Sequence, residues 1–561
     1  MKKTKSTTPW LDNYDHHVPP HLEYPQVTIV ELFLDAVNQT PERIFLIHRG
    51  KKYNYSEVYQ QVISLANQLH LDGIRKGDRV AMLLPNIPEF ITAYYAILLC
   101  GGIVVALNPS YKGYELEYLL KDASPKMIVC LPQHLEVLEN INIYTTFVKI
   151  IVINQRDAED QRAHHRNPEF AVNKKVADKV ILYDDILRNR KGTIAESFPA
   201  ISGSDAAIFQ YSGGTTGSPK AAIGMHQNIV CNAVQFAVWC NLIPNEEVIL
   251  AAIPLYHVYG MVLAMNLGVY IGASLVLIDD PRDIESLLKS LKTYQVTFFP
   301  GVPSIYYAIN QNPRLINGEI HLESIKACIS GSAPLHPSIK QEFEHLTQAR
   351  LMEGYGLSEA PTATHCNPLL GINKAGSIGM PLPDVVCKIV DLETGEKELG
   401  INEVGELIIK GPQVMLGYHN RDEENELTLK DGWLFTGDVA RCDEDGYYFI
   451  VDRKKSLIKV NGLQVWPNEV ETIIASHPLI KESAVGGVPD LAHGENVIAW
   501  VVVKNGEVVS SEEIQNWCRQ FLSGYKVPSE VMFVENLPRT GVGKILRREL
   551  IANYLKNETR G

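Results

Sequence analysis

Paired cysteines are the first thing this chain lacks. Its nine cysteines among 561 residues lie far apart, with no C-x-x-C spacing and no histidines at the spacing of a zinc site. That argues against a disulfide framework or structural zinc and favours free thiols in a reducing, cytoplasmic compartment. Excess positive charge is missing too. Lys and Arg number 52 against 65 Asp and Glu, a net charge of −13. A nucleic-acid partner needs clustered cations, so none is expected. The local exception is Arg453-Lys-Lys455, Lys459 and the run 544–548, which reads either as a solvated face or as a contact for a polyanion. Residues 1–17 are polar and contain no apolar core of a secretory signal. Two stretches, 91–107 and 249–278, contain no Asp, Glu, Lys or Arg. Gly101-Gly102 breaks the first, and Pro254, His257, Gly260 and Gly272 interrupt the second. Both read as buried core rather than transmembrane segments. A peripheral membrane contact and a homodimer stay open.

A chain of this length exceeds one ordinary core, and 45% hydrophobic with 21% charged residues describes a globular protein of two or more domains. Strand-like runs at 80–84 and 102–107 alternate with helical patterns at 88–99 and 115–120, which implies βαβ units and parallel sheet. Residues 154–179 are polar and read as a surface excursion. From 405 to 448, short strands and repeated Gly and Asp suggest a small β-rich subdomain. Residues 457–550 read as a compact α+β unit, with helices at 468–476 and 511–522 and strands at 498–503 and 531–534. The fold class is therefore α/β, with a smaller α+β C-terminal domain.

The densest local signal is Tyr211-Ser-Gly-Gly-Thr-Thr-Gly-Ser-Pro-Lys220, after the apolar run 206–209. Glycine lets backbone N–H groups close on an anion, and Ser212, Thr215, Thr216 and Lys220 add hydroxyls and a positive charge. Such a cluster alone is as often a solvated loop. It also fails the Walker template, because Ser218 stands where the second glycine belongs and Ala221 follows the lysine.

Further motifs follow in order: Pro254-Leu-Tyr-His257-Val-Tyr-Gly260, Gly331-Ser-Ala-Pro-Leu335, Glu353-Gly-Tyr-Gly-Leu-Ser-Glu-Ala360, Gly432-Trp-Leu-Phe-Thr-Gly-Asp438 with Ile450-Val-Asp-Arg-Lys-Lys455, and Pro538-Arg-Thr-Gly-Val-Gly-Lys544. Singly, each has a plain reading: a satisfied core histidine, a loop-end acid, a turn, a solvated lysine. Together with the glycine-rich loop, the ordered set over about residues 32–550 resembles the acyl-adenylate-forming enzymes, the superfamily of acyl-CoA synthetases, peptide-synthetase adenylation domains and beetle luciferases. The stretch 431–471 is close to the signature of fatty acyl-CoA synthetases.

The resemblance implies a tail over 1–30, an AMP-binding adenylation domain over 31–454 and a mobile C-terminal lid over 455–561. It implies nucleotide contacts from Ser212, Gly213, Gly214, Thr215, Thr216, Lys220, Gly354, Tyr355, Ser358, Asp438, Arg453, Lys455 and Lys459. Tyr355 would face adenine, Asp438 the ribose hydroxyls and Ser358 the α-phosphate. Thr215 and Glu359 would hold Mg²⁺, a hard cation suited to oxygen ligands. Lys455 would be the hinge. His257 would stand at the mouth of the acyl pocket, with Tyr259 and Gly331 lining it. Asn461 and Gly462 would meet CoA in a second conformation. Lys544 would be the catalytic lysine beside the α-phosphate. Two departures put the phosphate loop's fine geometry in doubt: Gly213 replaces a hydroxyl residue common in relatives, and Ala-Ala-Ile-Gly-Met-His226 follows Lys220.

A carboxylate is a poor acyl donor, whereas its mixed anhydride with AMP carries a good leaving group; positioning and electrostatics dominate such catalysis. The expectation is a two-step ligase. ATP·Mg²⁺ and an acid give acyl-AMP, then the lid swings about Lys455 and CoA takes the acyl group. The apolar stretches 258–265 and 298–308 suit an aliphatic chain, so a medium- or long-chain fatty acid is expected. The alternatives are a fatty acyl-AMP ligase loading a carrier protein, an aromatic-acid–CoA ligase, and a non-catalytic nucleotide-binding scaffold.

Overall fold

A computed structural model describes residues 8–154, 173–189, 198–212, 219–490, 493–540 and 543–558. Two large sheets form its frame. The first has eight strands. Ala206–Ser212, Ile103–Ala106, Arg79–Leu83, Met127–Cys130, Lys149–Val152 and Val180–Leu182 run parallel, and Lys220–Met225 and Gly417–Tyr418 extend one edge antiparallel. The second has nine. Its parallel centre is Arg350–Leu357, Ala327–Ser330, Phe298–Gly301, Val248–Ala251, Ser274–Leu277 and Ile44–His48. Central strands such as Ile103–Ala106 and Met127–Cys130 are apolar at every position because helices cover both faces of a parallel sheet.

Helix starts follow local chemistry. Proline opens Pro88–Leu99, Pro303–Asn310, Pro337–Thr347 and Pro467–Ala475, where its missing N–H costs no hydrogen bond. Thr28 with Glu31 and Ser510 with Glu513 form reciprocal capping boxes. The expected elements appear within a few residues. The charge-free stretches are core: 91–107 holds most of helix Pro88–Leu99 and strand Ile103–Ala106, and 249–278 holds two buried strands around the buried helical turns 258–270. No helix among the described residues is long and apolar enough to cross a membrane.

The β-rich subdomain begins earlier than the sequence texture suggests. Its sheet joins Val386–Val390, Gly405–Lys410, Trp433–Cys442, Leu429–Lys430 and Tyr448–Arg453. The excursion 154–179 lies mostly outside the described residues; its end forms the short helix Lys174–Ala177. Residues 8–28 are bound to the domain. Trp10 is buried, Tyr14 packs edge-on against Trp239, and Asp15 accepts the N–H groups of Leu370 and Gly371.

From Ile458 onward the chain builds a separate five-stranded sheet with its own two apolar cores. One is built on Ile458, Val470, Ile474 and Val501, the other on Trp500, Leu537 and Leu550. All nine cysteines are unpaired, eight of them buried, and burial raises every thiol above its usual pKa.

Candidate active site

The motifs converge at the ends of strands from both sheets, the subdomain and the C-terminal unit. Asp438 and Arg453 are register partners on adjacent antiparallel strands. Arg453 Nε lies 2.5 Å from Asp438 Oδ1, and the Tyr355 phenol donates to Asp438 Oδ2. Asp438 is only 2% exposed, so a charge there requires its cationic partner. The turn before it is fixed from beneath. Gly437 takes the left-handed backbone (φ 68°) and donates its N–H to Glu406 Oε1 at 3.1 Å. Lys454 Nζ meets Glu406 Oε2 at 2.7 Å. Asp438 N–H donates to Thr436 Oγ1.

Ser358 and Glu359 form the turn between strands Arg350–Leu357 and Ala360–Cys366. Glu359 Oε1 accepts the Tyr418 hydroxyl at 2.7 Å. The same tyrosine ring lies 5.3 Å from Lys220 Nζ, and Lys220 pairs with Glu424 at 3.2 Å. Ser212 and Lys220 are register partners that bracket the phosphate loop. Gly213, Gly214, Thr215 and Thr216, expected to carry most of that loop's contacts, lie outside the described residues. Gly354 packs where a Cβ would approach Ile329 Cγ2 at 3.3 Å, and a methyl group on Gly356 would overlap the Thr362 carbonyl oxygen.

His257 caps the helical turn that follows it, its Nδ1 accepting the Tyr259 N–H at 3.2 Å. Burial, reinforced by the nearby Lys544 ammonium, lowers its pKa to about 4, so the ring is neutral at pH 7. Tyr259 is buried, and its one hydroxyl hydrogen is shared between the carbonyls of Gly301 (2.9 Å) and Ile329 (2.7 Å). A Cβ at Gly331 would sit 3.3 Å from its ring. The helix then passes through a π-turn, Met261–Asn266, and the Asn266 side-chain amide Nδ2 donates to the Met261 carbonyl at 2.9 Å.

Lys544 reaches this cluster from the other domain. Burial lowers its pKa to about 8; Arg453 and Arg547 push the same way, and Asp438 and Glu359 oppose them. Gly543 beside it approaches Ser304 of the large domain, a Cβ there lying 3.9 Å from Ser304 Oγ. Lys455 is exposed in the turn Lys454–Ser456. Lys459, Asn461 and Gly462 are exposed on the C-terminal unit, outside the contacts around Asp438. Asn461 (φ 51°) and Gly462 (φ 78°) form the two-residue hairpin between Ile458–Val460 and Leu463–Val465, which needs two left-handed residues in succession.

Sequence reasoning noted Lys454 within the cationic run Arg453-Lys-Lys455 but missed Tyr418, Glu424 and Glu406. Glu406 had a signal, as the acid directly before the apolar run 407–409 of strand Gly405–Lys410. The others show only in three dimensions.

Magnesium fits the donor set. Among the described residues no group of three or more His, Cys, Asp or Glu could hold a metal. An ion at Glu359 would thus take its remaining oxygens from substrate phosphates and water, the usual habit of Mg²⁺.

Comparison with known proteins agrees with this arrangement. The AMP-binding enzyme family matches residues 33–419, and its C-terminal domain matches 469–544. A long-chain-fatty-acid–CoA ligase of Bacillus subtilis (strain 168) is 38% identical over 569 residues, covering 99% of both chains. The crystal structure of ATP-bound MatB from Rhodopseudomonas palustris superposes with a TM-score of 0.83 at 28% identity, covering 94% of this chain and 99% of that one. The apo form of the same protein, at the same coverage and identity, gives 0.72. The chain belongs to the AMP-binding enzyme family, with that family's C-terminal domain.

Proposed function

We propose that this enzyme is an AMP-forming fatty-acid–CoA ligase acting on medium- or long-chain acids. The observation that carries the reading is the meeting of Lys544 with Asp438, Arg453, Glu359 and His257 across two domains. The better superposition on an ATP-bound relative than on its apo form supports taking this arrangement as the adenylate-forming one.

In the first step a fatty-acid carboxylate oxygen attacks the α-phosphorus of ATP and the bond to pyrophosphate breaks. Asp438 accepts from the ribose hydroxyls, Tyr355 flanks adenine, and Gly354 lets the strand pass close beneath. Ser358 and Lys220 approach the phosphates. Mg²⁺, when bound at Glu359, neutralises phosphate charge. The Lys544 ammonium, stripped of much of its water, faces the charge that develops on the α-phosphate; such a preorganised cation is most effective in a water-poor site. Neutral His257 adds no competing cation at the acyl entrance.

In the second step the lid, residues 455–561, turns about Lys455 and withdraws Lys544. Lys459, Asn461 and Gly462 then come to the adenylate. The CoA thiolate attacks the acyl carbonyl, AMP leaves and the thioester forms. The wholly buried turns around 258–265 supply apolar walls for the chain, beside Tyr259 and Gly331. A cytoplasmic location agrees with nine unpaired thiols.

Pyrophosphate release across a panel of acids, with and without CoA, tests the reading. Fatty acids should release pyrophosphate and, with CoA, yield thioester and AMP in equal amounts. Pyrophosphate without thioester would mean a carrier-loading ligase, and preference for aromatic acids an aromatic-acid ligase. Silence across the panel would leave a nucleotide-binding scaffold.

A further inference from the structure

We propose that Arg547, gripped by Glu471, is a positioning residue that aims the Lys544 side chain at the reacting phosphate. This rests on the assignment of Lys544 to adenylation. Lys544 is bonded back to Thr540, closing the loop between them: its N–H donates to Thr540 Oγ1 at 3.1 Å, and its carbonyl accepts the Thr540 N–H at 2.8 Å. Each shoulder of the loop is tied to an acid of the same domain. Upstream, Arg539 pairs with Glu482 on strand Ile480–Asp490 and donates to the Gly543 carbonyl at 2.8 Å. Downstream, Arg547 opens helix Arg547–Glu558 and meets Glu471 on helix Pro467–Ala475.

The two ties differ in kind. Arg547 engages both carboxylate oxygens, Nε to Oε1 at 2.9 Å and Nη2 to Oε2 at 2.6 Å, and Glu471 also accepts the Val485 N–H at 2.7 Å. Side-chain exposure is 28% and 12% for this pair, against 40% and 25% for Arg539 and Glu482. A two-point, partly buried pair fixes an angle as well as a distance.

Helix Pro467–Ala475 also reaches the nucleotide side. Asn468 at its first turn donates its N–H to Asp452 Oδ2 at 2.7 Å and its side-chain amide to the Val451 carbonyl at 3.1 Å. Asp452 directly precedes Arg453, the partner of Asp438. One rigid helix thus carries the grip on the lysine's loop and the contact to the ribose-side pair, and so sets the separation between them. Arg547 is also one of the charges Lys544 faces, with Arg453, Asp438 and Glu359, and with His257 as its neutral neighbour.

The test compares R547Q, R547K and E471Q in two assays: pyrophosphate release from ATP and fatty acid, and thioester formation from supplied acyl-adenylate and CoA. R547Q and E471Q should slow adenylation on the order of ten- to a hundredfold through misplacement of the ammonium, with the KM for ATP and the thioester assay little changed. R547Q, having lost a cation near Lys544, should move the alkaline limb of adenylation to higher pH. R547K should restore that limb and part of the rate. If both assays fall together, or the limb stays put in R547Q, the pair only holds the fold and the proposal is wrong. K544A separates the two layers. Normal adenylation in K544A would sink the assignment of the lysine itself, whereas normal R547Q beside inactive K544A would sink only this proposal.

Discussion

The Tyr355 phenol and the Arg453 guanidinium each hold one oxygen of the Asp438 carboxylate. Each oxygen of a carboxylate has a second acceptor position, so two hydroxyls of a ribose can be received without displacing either partner. The pair orients the acid.

Asp438→Asn keeps the shape and removes the charge. It should raise the KM for ATP at least on the order of tenfold, since a bound hydroxyl then loses a charged acceptor. Arg453 would lose its counter-charge, but its side chain is 37% exposed. The stability loss should therefore fall below the roughly 3–5 kcal/mol of a fully buried broken pair. An unchanged KM in steady-state kinetics would show that the nucleoside sits elsewhere.

The proposed role in adenylation requires the Lys544 ammonium, whose pKa burial has lowered from 10.5 to about 8. The active, protonated form is thus lost as pH rises through about 8 rather than through the ordinary lysine range. The kcat/KM for ATP should fall above that pH, while the limb in kcat should lie higher, because bound phosphate favours the ammonium. A profile flat to pH 10 would contradict the role.

Gly356→Ala should fail on packing grounds. The added methyl would overlap the Thr362 carbonyl oxygen in the paired strand, where backbone cannot yield as a flexible side-chain tip can. The expected result is a large drop in thermal stability or no soluble protein; a melting temperature equal to wild type would refute the tight strand approach.

Lys455→Pro targets the short turn Lys454–Ser456 between the domains. Proline fixes φ and restricts the residue before it. Adenylation should survive while overall acyl-CoA turnover falls on the order of a hundredfold, the scale expected of a misplaced reacting group. Equal turnover in coupled assays would argue against a swing at this position.

Much of the frame is readable from the chain because its signals are local. Proline starts, capping boxes and runs such as Ile103–Ala106 each announce an element within a few residues. The site residues were found as motifs, and the structure gathers Tyr355, Asp438, Arg453, Glu359, His257 and Lys544 from positions up to 287 apart in sequence, counting from His257 to Lys544. What the chain hides is pairing over distance. Nothing near Ile44–His48 says that it adds to a sheet beside Ser274–Leu277, nor does anything near Lys220 name Glu424 or Tyr418. Such partners depend on which surfaces meet after folding, and a residue's type and neighbours in sequence do not encode that directly.

The buried cysteines bear on the product's fate. An acyl-adenylate is an electrophile that acylates whatever thiolate it encounters, and only the deprotonated sulfur is a competent attacker. With all nine of the protein's own thiols pushed toward the protonated form by burial, self-acylation is suppressed, and the activated chain is left for a sulfur that arrives from outside.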